Sequence, residues 1–177
     1  MINKELALTA HLIRRTGFCG PFADIEIANE KDYEETVESI LHPDNPQNMP
    51  DDLIRRYQQE LSNMINGGSI PPYWLYRMVT TKTPLQDKMS LFWHGIFATS
   101  VSKLTHGADM MSQIEMFQRH GLGNFKTLLL ELSKDPSMMV WLDNCDNHNG
   151  AINEIYGREL LELFSMGVGN YTEEDIK

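Results

Sequence analysis

The sequence predicts an all-α protein, an irregular multi-helix domain of about eight to ten short helices. Apolar residues recur at helical spacing in successive segments, and in residues 33–41 they share one helix face. The residues on that face are Tyr33, Val37, Ile40 and Leu41. Glycine, proline and Asn or Asp separate such segments, as expected where helices begin and end. No segment alternates apolar and polar residues over a length typical of a strand.

The predicted helices follow one another along the chain. In order they cover residues 4–15, 22–29, 32–41, 51–66, a segment from Pro71 onward, 85–100, 108–120, 125–133, 137–142 and the segment that carries Glu154. Residues 42–52 contain three prolines among Asp and Asn, which predicts a loop. Thr83 can cap the helix that follows it, Pro84 suits the first helical position, and Gln86 completes a capping box worth about 1 kcal/mol.

The helix predicted after Thr83 carries apolar side chains over a wide arc. They are Leu85, Met89, Phe92, Trp93, Ile96 and Phe97. A helix that is apolar over most of its circumference is usually surrounded by other elements. We therefore expect this helix to be buried almost all round and to occupy the centre of the fold.

Length and composition indicate a single domain over residues 1–177, long enough to bury a sizeable core. Its hydrophobic content of 41% and charged content of 23% are typical of a globular rather than a disordered chain. The formal charge of −10, from 15 basic and 25 acidic residues, would repel a phosphate backbone. Nucleic acid is therefore not an expected partner.

Two further classes of protein, membrane-spanning and secreted, are disfavoured. No apolar run is long enough to span a membrane, and the start of the chain lacks the order of a secretory signal. We therefore expect a cytoplasmic protein. Cys19 and Cys145 form no CxxC motif; two reduced thiols are the favoured interpretation, and a disulfide between them remains open.

An oxygen-rich loop precedes the last predicted helix. Four residues there are candidate ligands for a divalent cation: Asp143, Asp146, Asn147 and Glu154. Hard cations prefer such oxygen ligands. The spacing fails the EF-hand template, because its first position would be Cys145. The favoured alternative is an Asn/Asp-rich turn that caps the next helix.

A second set of polar residues could carry chemistry. Arg158 lies four residues from both Glu154 and Glu162, so one guanidinium should lie beside two carboxylates, enclosed by tertiary contacts. His94, inside an apolar helix, is interpreted first as a core residue with a hydrogen-bonded ring, and alternatively as a general base or metal ligand near Glu154 or Glu159. The candidate catalytic group is His94, Glu154, Arg158 and Glu159.

Several long motifs carry a family resemblance. In chain order they are ALTAHLIRRTGFCG, FWHGIFATS, LGNFKTLLLELSKDPSMMVWLDN and NEIYGRELLELFSMGVGNYTEEDIK. With these motifs the chain resembles the bacterial family catalogued as domain of unknown function 1800. The resemblance implies a mostly helical fold and no established activity, so it assigns no catalytic residue. Family members are usually longer and many carry an export signal, which implies that residues 1–177 are the N-terminal part of a longer family domain.

One motif departs from the family pattern. The family often reads Trp-His-x-His-Phe, whereas Ile96 stands here at the position of the second histidine. If that histidine pair binds a metal in other members, the resemblance implies that this chain binds it poorly or not at all.

Two functional hypotheses follow. The first is an uncharacterised helical scaffold or interaction domain with a structural Glu-Arg-Glu cluster, whose partner is another protein or a second copy covering an exposed apolar face. The alternative is a hydrolase-type enzyme that uses His94 with Glu154 or Glu159, with a divalent cation as a possible cofactor.

Overall fold

The computed structural model describes residues 4–18, 20–43, 70–104, 106–148, 150 and 152–176. Nine α-helices and no strand lie within these ranges. The helices are α1 (Lys4–Thr16), α2 (Phe22–Asn29), α3 (Tyr33–Leu41), α4 (Ile70–Thr80), α5 (Pro84–Ile96), α6 (Gly107–His120), α7 (Phe125–Leu132), α8 (Pro136–Trp141) and α9 (Ile155–Glu159). A 3₁₀ turn (Asn144–Asp146) precedes α9, and a π-helical turn (Leu160–Ser165) continues it.

This architecture confirms the predicted all-α fold class. The carboxylates of Asp32 and Asp135 cap α3 and α8, because they accept hydrogen bonds from backbone N–H groups of the first turn. Three predicted features lie outside the described residues: the helix over 51–66, the cap at Asn3 and the thiol of Cys19. Cys145 is free and exposed. In the described ranges, no helix has the length and apolar character needed to cross a membrane.

Helix α6 lies at the centre of the fold and belongs to two hydrophobic clusters. The first cluster contains Ile70, Tyr73, Met110, Met111 and Ile114. The second contains Phe97, Met116, Phe117, Leu128, Leu132 and Met138. Burial of apolar surface of this kind is the main favourable contribution to folding. The central helix is therefore α6, and the expectation that the helix after Thr83 occupies the centre is wrong.

Helix α5 also differs from the prediction, because it is not buried all round. Leu91, Phe92 and Ile96 are 42%, 52% and 41% exposed. The buried residues of α5 are instead Asp87 and Ser90. Counting apolar side chains predicted burial, but polar side chains take the inward positions because they find hydrogen-bond partners on α6.

The start of α5 differs in one detail from the capping box that the sequence predicts. Thr83 occupies the N-cap position and Pro84 begins the helix, but the Thr83 side chain makes no capping hydrogen bond. The Thr83 hydroxyl lies 3.4 Å from that of Thr81, which accepts from the Thr83 backbone N–H at 3.0 Å. The expected capping box is therefore wrong, because a local contact with Thr81 takes the place of the cap.

The three N-terminal helices are joined to α5 through α1. Helix α1 packs against α2, α3 and α5. The ammonium group of Lys88 on α5 donates to the carbonyl oxygens of Gly17 at 2.7 Å and Arg14 at 3.1 Å. A cation is favourable at the C-terminal end of a helix, where carbonyl groups lack intrahelical partners. Lys88 therefore fastens α5 to the end of α1.

Trp93 fixes the junction between α5 and the end of α6. Its indole N–H donates to the carbonyl oxygen of Gly121 at 2.7 Å. A Cβ atom on Gly121 would lie 2.8 Å from the Trp93 ring and would also clash with the carbonyl oxygen of Phe117. Glycine is thus required here by the close approach of the indole and the backbone.

Two Gly→Ala substitutions test this packing. We expect Gly121→Ala to lower the free energy of unfolding by about 1–3 kcal/mol, because the added methyl group overfills the junction. Gly95→Ala on α5 is the matched control, since no described atom lies within 4 Å of a Cβ at that position. It should raise the free energy of unfolding by about 0.5–1 kcal/mol through helix propensity. Urea unfolding measures both, and equal effects would contradict the close approach at Gly121.

Candidate functional site

Helix α5 turns a polar face towards α6. Asp87, Ser90 and His94 lie at positions i, i+3 and i+7, which fall on one side of a helix. Asp87 is 1% exposed, Ser90 is fully buried and His94 is partly buried. A polar face in this position is stable only when its groups find hydrogen-bond partners.

Each of the three residues faces a residue of α6. The Ser90 hydroxyl donates to the carbonyl oxygen of Ile114 at 3.0 Å. Asp87 accepts a hydrogen bond from the side-chain amide of Gln118, and the Gln113 side chain lies near His94 and affects its pKa. Earlier residues of α5 thus meet later residues of α6, so the two helices run antiparallel. We call the side chains of Asp87, Ser90, His94, Gln113 and Gln118 the polar seam.

Gln113 extends the polar seam towards α8. It is fully buried; its carbonyl oxygen accepts from the Thr99 hydroxyl at 2.6 Å, and its amide donates to Asp135 Oδ1 at 2.6 Å. The same Asp135 oxygen accepts from the backbone N–H of Met138 at 2.9 Å. One carboxylate therefore caps α8 and completes the hydrogen bonds of a buried amide.

The other end of the polar seam contains an ion pair with α4. Arg77 Nε lies 3.2 Å from Asp87 Oδ1, and the two side chains are 12% and 1% exposed. Charges withdrawn this far from water are tolerated only when they are paired and hydrogen-bonded. Asp87 therefore holds α4, α5 and α6 together.

The opposite side of α5 is apolar and faces outward. We call Leu91, Phe92, Gly95 and Ile96, all of which are exposed, the outer face of α5. No Asp, Glu, Lys or Arg occurs between Lys88 and Lys103, and Lys88 is directed back to α1. Because the water-facing side of a helix normally carries the charged residues, α5 is inverted relative to an ordinary surface helix.

Aromatic rings continue the outer face of α5 towards α7. Phe92 meets Trp93 edge-on with ring centroids 5.1 Å apart, and Phe125 stacks on Trp93 at 5.8 Å. Phe125 and the nearby Leu122 are themselves exposed. A continuous apolar surface therefore runs from α5 to the start of α7.

Burial controls the protonation of His94. Removal from water lowers its pKa below the ordinary value of 6.5, and the neighbouring Gln113 side chain opposes part of this shift. His94 Nδ1 is buried without a hydrogen-bond partner among the described residues, and the ring lies edge-on to Trp74 at 5.2 Å. Protonation would place a charge and an unpaired N–H in this environment, so the neutral ring is favoured. Burial likewise raises the pKa of Asp135.

The other three members of the predicted catalytic group lie near the C-terminus. Arg158 donates to the two carboxylate oxygens of Glu173 at 2.9 and 2.8 Å, and its guanidinium lies 3.7 Å from Glu154. Glu159 is partly buried where α9 meets the π-helical turn. None of these residues is among the groups that shift the pKa of His94. The described contacts join Glu154 to Arg158 and place His94 in the polar seam; the catalytic role of the group stays a prediction.

The Arg158 cluster differs from the expected arrangement in two ways. Its second carboxylate is Glu173, whereas Glu162 accepts from the Tyr171 hydroxyl at 2.5 Å. The helix changes to π-type geometry at Leu160, so the spacing of four residues no longer aligns Arg158 with Glu162. The Arg158 side chain is also 38% exposed, so the expectation of an enclosed guanidinium is wrong. Hydrogen bonding to Glu173 raises the pKa of Arg158 above its ordinary value.

The predicted cation loop is partly engaged by the protein itself. Asp143 forms an ion pair with Lys103 at 2.7 Å. Among the residues that the structure describes, no three His, Cys, Asp or Glu side chains are grouped so that they could hold a metal ion. Cation binding by Asp143, Asp146, Asn147 and Glu154 stays a prediction.

The matched family covers both the polar seam and the outer face of α5. Residues 11–177 match the family described as Protein of unknown function (DUF1800). The chain belongs to the DUF1800 family. The resemblance inferred from the sequence motifs is thereby confirmed. Comparison of this DUF1800 chain with curated proteins and with solved structures finds no match.

Sequence reasoning missed the hydrogen-bonded pair Gln113 and Asp135, which lies beside His94 in this DUF1800 chain. Gln113 lies on α6, and the sequence predicts this helix from its apolar residues alone. Asp135 is recognisable from the sequence only as a helix cap. The distances along the chain are too long for a spacing argument, since Gln113 and Asp135 are 22 residues apart. The one feature of the sequence that could have indicated the polar seam is that Asp87, Ser90 and His94 fall on the same helix face.

Removal of the Asp87 carboxylate tests the polar seam. We expect Asp87→Ala to lower the free energy of unfolding by about 3–5 kcal/mol, because it leaves Arg77 buried without its counter-ion. Glu131→Ala is the control: Glu131 pairs with Lys134 at 2.9 Å, but the Lys134 and Glu131 side chains are 67% and 36% exposed. That change should leave the free energy of unfolding almost unchanged, because an ion pair in contact with water contributes little. Urea unfolding compares the two, and a similar small cost for both would show that Asp87 is not a structural anchor.

The pH dependence of stability tests the environment of His94. Its folded pKa lies below the unfolded value of 6.5, so the unfolded chain takes up the proton first as the pH falls. The stability contributed by the neutral ring is therefore complete above about pH 6.5 and is lost as the pH falls through that value towards the folded pKa. The difference in unfolding free energy between the wild type and His94→Gln should be constant between about pH 7 and 8. As the pH is lowered below about 7, the difference should decrease by at most about 1.4 kcal/mol per pH unit.

Chemical denaturation at stepped pH measures this difference. Asp135 is present in both proteins, so its opposite contribution cancels in the comparison. A difference that increases as the solution is acidified would contradict a neutral His94.

Proposed function

We propose that this DUF1800 chain is a helical protein-interaction domain that binds a protein partner through the outer face of α5. The observation that carries the proposal is the inversion of α5: its polar residues are used inside the protein, and its apolar residues face outward. Exposed apolar patches on folded proteins commonly mark interaction sites, because they gain most from being covered.

The polar seam supports this interpretation of the buried polar residues. Asp87, Ser90 and Gln113 are all engaged in hydrogen bonds that join helices. These contacts give the polar residues a structural role inside the protein. The outer face of α5 has no such role within the described part of the fold.

Among the described contacts, none of His94 with Glu154 or Glu159 favours the hydrolase alternative. The charge of −10 continues to disfavour nucleic acid as the partner. The expected cytoplasmic location stays a prediction, which fractionation of the producing cells would test.

Site-specific photo-crosslinking tests the proposed surface. A benzophenone side chain at Phe92 should give a protein adduct of defined mass in the cells that naturally produce the chain. The same group at Val168, which is 77% exposed, is the control and should give no such adduct. Adding Ile96→Glu should abolish the adduct at position 92, because a charge on the interface is costly to desolvate. Absence of any adduct at position 92, or identical adducts at both positions, would contradict the proposal.

A further inference from the structure

We infer that helices α1, α2 and α3 open away from the rest of the protein as one unit, and that Lys88 is the latch that holds them closed. We call these three helices the N-terminal unit. The inference concerns a change of conformation within the chain, so it does not depend on the partner proposed for the outer face of α5.

Hydroxyl contacts join the three helices of the N-terminal unit to one another. The buried residues of α1 and α3 are Thr9 and Thr36, and α2 has none. The Thr9 hydroxyl donates to Asn29 Oδ1 at 3.3 Å, which connects α1 to the end of α2. The Thr36 hydroxyl donates to the carbonyl oxygen of Ala28 at 3.3 Å, which connects α3 to α2. Because each helix is bonded to the next, we expect the three to move together.

The N-terminal unit lies outside both hydrophobic clusters. All residues of the two clusters, and the partly buried residues packed against them, lie at or after Ile70. The hydrophobic side chains of α1, α2 and α3 that the structure describes are only partly buried or exposed. Segments that bury few apolar side chains open at a lower free energy than the whole protein unfolds. Opening of the N-terminal unit can therefore leave the core around α6 intact.

The contact that opening must break is the seat of α1 on α5. The Lys88 ammonium group donates to the carbonyl oxygens of Gly17 at 2.7 Å and Arg14 at 3.1 Å. Gly17 is buried, and a Cβ atom there would lie 3.3 Å from the Cβ of Pro84. The end of α1 thus fits closely over the first turns of α5.

The charge of Lys88 makes this contact a latch. A cation that binds the free carbonyl groups at a helix C-terminus is stabilised both by the helix dipole and by charge-assisted hydrogen bonds. An uncharged side chain of the same length can fill the same space but provides neither contribution. The positive charge on one side chain should therefore determine how often the N-terminal unit opens.

Native-state hydrogen exchange, read by mass spectrometry, tests the inference. In the wild type, amides in the middle of α1, α2 and α3 should exchange through one common opening, faster than the amides of α6. Lys88→Met keeps the apolar stem and removes the ammonium group. It should accelerate exchange in all three helices about tenfold and leave α6 unchanged. Lys126→Met, at an exposed position on α7, is the control and should change neither rate.

A second variant tests the seat without altering a charge. Gly17→Val adds a side chain against Pro84, so it should also accelerate exchange in the N-terminal unit while the amides of α6 keep their protection. Three results would overturn the inference. They are exchange of α1–α3 at the same rate as α6 in the wild type, three different rates for the three helices, and no change or an equal change in α6 on Lys88→Met.

Discussion

The antiparallel contact between α5 and α6 depends on a row of polar side chains rather than on apolar packing alone. Apolar contacts tolerate rotation and sliding of one helix on another, because they have little directional preference. Hydrogen bonds between Ser90 and the carbonyl of Ile114, and between Asp87 and Gln118, form in one register only. Any other rotation of α5 would leave buried polar groups unpaired, each at a cost of about 1–3 kcal/mol. The polar seam therefore fixes which side of α5 faces outward.

Helix α6 makes this arrangement compatible with a folded core. Its apolar residues fall into two groups, with Met110 and Ile114 in one cluster and Met116 and Phe117 in the other. Gln113 is fully buried on the same helix and directs its polar atoms to Thr99 and Asp135. The hydrophobic contribution to folding comes mainly from α6 and its neighbours, so α5 can expose apolar residues without removing the core.

The contrast between α5 and α6 explains how much of the fold the sequence could predict. Helix α6 follows the usual rule that apolar residues face inward, and Met110, Ile114 and Phe117 are buried as its periodicity predicts. Helix α5 breaks the rule, and its orientation is decided by partners on another helix that local spacing cannot identify. The approximate positions of the helices could therefore be predicted, whereas the contact that replaces the Thr83 cap and the outward side of α5 could not.

The Arg158 cluster shows, for single residues, the same limit of prediction from local sequence spacing. Arg158 and Glu162 were matched by assuming a regular α-helix, and the π-helical turn after Glu159 removes that regularity. The acid that binds Arg158 is Glu173, 15 residues later, on a segment that folds back over α9. Ile176 on this segment approaches Gly157 closely. Such a contact depends on the path of the chain and not on a sequence period.

The polar seam and the outer face of α5 are two consequences of one distribution of residues. Asp87, Ser90 and His94 supply orientation but little net stability, because buried hydrogen bonds largely replace those made to water. The apolar residues that could have stabilised the monomer lie on the opposite side of α5, where they are exposed to solvent. In this arrangement the fold of the monomer depends on one side of α5, and the proposed association with a partner would depend on the other. Substitutions on the outer face should consequently alter binding with little effect on folding, which is the property that allows the two to be measured separately.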